Sequence, residues 1–158
     1  MTQSQISLPR LGLYYLGIYV LMVAMVYAGL WAVEKYFSYT PGTNAMGLIV
    51  PVLAAMQVGT LWYNHTGTRP ANGQAWAAAV MFVVITAVVS SLIATLAYRY
   101  GLLPELNELL AYDDAAMVFG IALAIAFVAT LVLCRFGIWI GVRQAERLKQ
   151  RMDAKSAK

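Results

Sequence analysis

Four long apolar runs leave this chain little choice of fold. They are Leu11 to Val33, Ala45 to Tyr63, Ala75 to Tyr98 and Ala115 to Val142. Each supplies the roughly 20 apolar helical residues that a bilayer core of about 30 Å requires. In lipid a backbone N–H or C=O finds no water, so a span must be a helix or part of a closed barrel. A barrel strand alternates apolar and polar residues. These runs are apolar on every face, which predicts a single all-α domain over residues 1–158, a four-helix transmembrane bundle. A hydrophobic share of 61% beside 11% charged residues agrees, since soluble domains hold about half apolar and about a quarter charged residues. The first run is longer than the ~7–15 residue core of a signal peptide, and no clear A-x-A site follows it, so it reads as a retained span.

Charge then orients the bundle. With four spans both ends share one side, and that side holds Arg10, Arg69, Arg143, Arg147, Lys149, Arg151, Lys155 and Lys158. The other side holds Lys35 and Arg99 together with Glu34, Glu105, Glu108, Asp113 and Asp114. The positive-inside rule predicts both termini in the cytoplasm, with residues 143–158 as a basic cytoplasmic tail. The net charge of +4 is therefore read as a topology signal with attraction to anionic lipid, not as a nucleic-acid site. Leu148 and Met152, four apart, predict that span four continues into the cytoplasm as a short amphipathic helix. In the second outer loop, Leu106, Leu109 and Leu110 recur at helical spacing after Pro104. That predicts a short interfacial helix. Glu105, Glu108, Asp113 and Asp114 lack the dense oxygen spacing of a calcium loop.

Ionisable groups inside a span are functional by default, and here the spans offer almost none. The exception is Arg135, about ten residues or roughly 15 Å beyond the centre of span four. At that depth it is expected to snorkel to the phosphates, with Trp139 in the interfacial belt. The first span carries Tyr14, Tyr15, Tyr19 and Tyr27 but no carboxylate, which argues against proton-coupled export of the kind small four-span exporters perform. One histidine, His65, and one cysteine, Cys134, argue against bis-histidine haem, a Ser–His dyad within the membrane and paired-thiol chemistry. Neither a catalytic residue nor a metal or cofactor set is expected.

The remaining polar groups are mild. Asn44 at the mouth of span two, Gln57 and Thr60 along it, and Ser90 and Ser91 on span three are candidates for a small polar cavity beside a kink at Pro51. Thr86, Ser90, Ser91 and Thr95 form a stripe on span three. Small residues recur four apart at Ala24/Ala28, Ala55/Gly59, Ala87/Ser91, Gly120/Ala124 and Gly137/Gly141. Such pairs let helices approach closely, and Ala55, Gly59, Gly120 and Ala124 are singled out as candidate packing positions.

The polar stretch 64–76, NHTGTRPANGQAW, reads as the turn between spans two and three. Gly67, Pro70 and Asn72-Gly73 are turn formers, Asn72 is a candidate helix cap, and Arg69 fixes orientation. Asn64-His65-Thr66 matches a glycosylation sequon on the side of the membrane where it would not be used. The segment PVLAAMQVGTLWYNHTGTRPANGQAW, residues 51–76, resembles the signature of a family of small, uncharacterised four-span bacterial inner-membrane proteins with a cytoplasmic Arg-Pro loop between spans two and three. The likeness covers spans two and three, and the other spans by hydropathy. It implies an inner-membrane location and four-span topology and no activity. Where the family pattern has Ser or Thr and then Glu in a capping box, this chain has Ala71 and Gln74.

These readings converge on a non-enzymatic integral membrane protein, an accessory or oligomer-forming subunit of a membrane assembly. Its expected partners are the lipid bilayer and further copies or other membrane subunits. The competing reading is a small transporter or channel for an apolar or weakly polar solute.

Overall fold

The structure is a computed structural model that describes residues 7–37, 46–101 and 115–156. Four helices make up nearly all of it: α1 Leu8–Phe37, α2 Met46–Thr66, α3 Asn72–Arg99 and α4 Ala115–Ser156. All four are long and apolar enough to cross a membrane, and the chain is a multi-pass membrane protein with an all-α fold. The expected interfacial helix around Pro104 and the acids from Glu105 to Asp114 lie outside the described residues.

The pairing register carries the topology. Tyr15 meets Thr86 and Tyr19 meets Ser90, a constant offset, so α1 and α3 run parallel. Cys134 lies against Pro51 and Thr60 against Gly141, so α2 and α4 also run parallel. Four consecutive crossings require that alternate helices run the same way.

The four helices meet at one level, where Tyr15, Phe82 and Thr86 are in contact and Cys134 lies beside both Tyr15 and Pro51. Toward the α2–α3 turn, the helices bury Leu11, Ala55, Val58, Trp62, Ala75, Ala78, Ile138 and Val142. In the other direction the lengths differ. At ~1.5 Å per residue, α1 runs about 33 Å beyond Tyr15, α4 about 28 Å beyond Cys134, but α2 only about 7 Å before Pro51. Among the described residues, the half away from the α2–α3 turn, the outer half, is therefore open. Residues 120–128 of α4 are exposed around the whole helix circumference, and lipid solvates such side chains as well as a protein core does.

α2 runs helically through Pro51, which is buried. α4 continues without a break to Ser156, as the spacing of Leu148 and Met152 predicts. Those two side chains are exposed.

Candidate functional site

Two of the seams in the bundle contrast in chemistry. The α2–α4 seam is made by the absence of side chains. A Cβ on Gly59 would stand 2.6 Å from the Ile138 carbonyl oxygen, and one on Gly137 would stand 2.8 Å from that of Val52. One on Gly141 would collide with the Met56 carbonyl. Backbone-to-backbone approach of this kind is what small residues permit in membranes. Ala55 is fully buried in the same seam. Thr60 Oγ1 reinforces it, donating to the Met56 carbonyl at 3.1 Å and lying 3.2 Å from that of Gly141.

The α1–α3 seam is made by aromatic rings. Tyr15 stacks on Phe82 with centroids 4.1 Å apart and planes 3° from parallel. Tyr15 and Thr86 hydroxyls hydrogen-bond at 2.7 Å, and those of Tyr19 and Ser90 at 3.3 Å. A tyrosine in hydrocarbon needs such a partner, because an unpaired hydroxyl there has no water to turn to. The four tyrosines of span one thus divide. Tyr15 and Tyr19 face α3, while Tyr14 and Tyr27 are exposed.

The turn between α2 and α3 is more than a reversal of the chain. Gly67 takes φ +66°, the left-handed conformation that ends a helix, and its N–H donates to the Tyr63 carbonyl at 2.8 Å. Thr66 Oγ1 donates to the Trp62 carbonyl at 2.9 Å. Arg69 then reaches across to α4, where its Nε and Nη2 donate to Glu146 Oε2 at 3.2 and 2.6 Å. Glu146 holds the guanidinium of Arg69 above its already high pKa, first through the hydrogen bond and then through charge. The turn is latched to the extension of α4. His65 is exposed, with Nδ1 3.3 Å from the Leu61 carbonyl one turn back.

Three expectations are corrected here. Asn72 does not cap α3. It is the first helical residue, and Ala71 precedes it with its N–H donating to Gln74 Oε1 at 3.4 Å, half of a capping box. The Asn72 side chain instead accepts a hydrogen bond from Arg135 Nη2 at 2.8 Å. Arg135 extends toward the start of α3 and ends on protein rather than free at the lipid surface. Its guanidinium lies over Trp76 at 5.8 Å, and its Nε is buried without a partner among the described residues. The proposed polar cavity does not assemble as a unit. Gln57 and Ser91 are exposed, Thr60 is committed to the seam, and Asn44 lies outside the described residues.

Ser90 alone of that set lines a cleft. The cleft has a volume of about 390 Å³ and lies between the outer parts of α1 and α3, with Gly47 and Val50 of α2 at one end. Tyr19, Tyr27 and Ser90 are the hydroxyl-bearing residues of a lining that also includes Val23, Val26, Leu30, Ile93 and alanines. It exists because α2 begins so far below the ends of its neighbours.

Of the candidate packing positions, Ala55 and Gly59 are in the α2–α4 seam. Gly120 and Ala124 face away from the bundle, and a Cβ on Gly120 would meet nothing within 4 Å. Glu146 escaped the sequence reading. The available signal was an acid one helical turn from both Arg143 and Gln150, in a basic stretch whose other acid is Asp153.

The chain matches no family model, no curated protein and no solved structure. The resemblance of residues 51–76 stands on those residues alone.

Proposed function

We propose that this protein is a non-enzymatic subunit of an assembly in the bacterial inner membrane, with both termini in the cytoplasm, and that the outer half of α4 carries the association. One observation supports this above all. Residues 120–128 make no packed face with the other described helices, although the same helix is in backbone contact with α2 from Gly137 to Gly141. Gly120 and Ala124, one turn apart on this stretch, offer the small surface against which another helix packs. The inner half is a finished bundle, and the outer half awaits a neighbour, a second copy or another membrane subunit.

The test is the mass of the particle extracted in mild detergent, together with its co-purifying proteins. Gly120→Leu should reduce that mass while the chain stays folded. His65→Ala and Arg69→Ala should leave it unchanged. If the loop variants dissociate the assembly and Gly120→Leu does not, the turn is the working surface and the proposal fails.

The cleft supports a second reading, a site for an apolar or weakly polar solute. Its wall carries hydroxyls and no charge, as such a solute would require. Filling it with Ala94→Trp would abolish solute binding or transport under this reading and leave particle mass untouched.

A further inference from the structure

At the opposite end of α4, a different chemistry collects beside the latched turn. Arg69, Trp139, Val142 and Arg143 line a depression of about 260 Å³. A second depression of about 220 Å³ shares Trp139 and Arg143 and adds Ile140, Gln144 and Arg147. Among the described residues, no acid lines either one. Arg143 lies over the Trp139 ring at 5.0 Å and has neither a carboxylate nor a hydrogen-bond partner among the described residues. Arg69 spends Nε and Nη2 on Glu146, which leaves Nη1 for another acceptor. The Nζ of Lys149 lies near Gly67, on the same turn.

We infer that Arg69, Arg143 and Trp139 form a seat for the phosphate of an anionic phospholipid. The fit extends beyond charge. Val128, Val132, Phe136, Trp139 and Arg143 fall on one face of α4, and the apolar members are all exposed. This order, aliphatic then aromatic then cationic, is the profile of a phospholipid from acyl chain to headgroup. Trp139 sits where an interfacial indole belongs, which places the guanidinium groups at phosphate depth. Arginine forks bind phosphate oxygens in pairs, and basic pockets between spans are known to hold anionic headgroups.

The full chain is reconstituted in phosphatidylcholine nanodiscs containing a small share of brominated phosphatidylglycerol or, separately, brominated phosphatidylcholine. The difference in quenching between the wild type and Trp139→Phe reports on Trp139. Brominated phosphatidylglycerol should quench Trp139 more strongly, and Arg143→Gln should reduce that preference about fivefold, the weight of one cation at the surface. Lys155→Gln should leave it unchanged, because Lys155 lies about 18 Å further along the helix, beyond a Debye length of about 8 Å. Equal loss with both variants would mean diffuse attraction by the tail and overturn the site. Equal quenching by both lipids would overturn it too. Loss of the preference with inorganic phosphate, but not with chloride at matched ionic strength, would assign the seat to free phosphate and overturn the lipid.

Discussion

Tyr15 shows how a single side chain is made safe in hydrocarbon. Its ring lies flat on Phe82 and its hydroxyl finds Thr86 at 2.7 Å. Interhelical hydrogen bonds in membranes contribute on average about 0.6 kcal/mol, and at most about 1.7. Tyr15→Phe should therefore lower stability by about 0.6 kcal/mol. Phe82→Ala removes the stacking partner and leaves a cavity, which in buried cores costs about 3 kcal/mol or more. Denaturation of both variants in mixed micelles, followed by tryptophan fluorescence, checks the ranking. If Tyr15→Phe is the more damaging, the hydroxyl rather than the ring secures the seam. Arg135 is a second case. Its position in the sequence shows how far it must reach, but not that Asn72, 63 residues away in the chain, would receive it.

Among the helices, the α2–α4 seam depends on glycine and the outer part of α4 does not. Gly59→Leu or Gly141→Leu should force the helices apart by the width of a side chain and unfold the inner half. Gly120→Leu should leave the monomer's thermal stability unchanged, since its surroundings are open. Thermal melts of detergent-purified chains would decide this, and equal loss at Gly59 and Gly120 would contradict the structure. The spans themselves are legible in the sequence because hydropathy alone defines a helix in lipid. Which faces pair is not, because a span that is apolar all round has no stripe to distinguish core from lipid. Of the small-residue pairs, Ala55/Gly59 and Gly137/Gly141 pack and Gly120/Ala124 does not, yet the spacing is the same. The cleft beside Ser90 was likewise hidden, because it arises from the short outer end of α2 and not from any motif.

For the whole molecule, the distribution of cations supports the proposed orientation, with the turn and the tail in the cytoplasm. A single cysteine at Gln74 should resist a membrane-impermeant thiol reagent in intact cells, and one at Tyr100 should react. Native Cys134 is buried and stays silent. The reverse order of labelling would invert the topology. The outer half of α4 is the proposed association face. A photo-crosslinking residue at Ala124, irradiated in native membranes, tests this directly, with Leu13, exposed on the inner half of α1, as the lipid-facing control. A discrete protein adduct from position 124 with lipid adducts alone from position 13 is the predicted result. Lipid adducts alone from position 124 would contradict it.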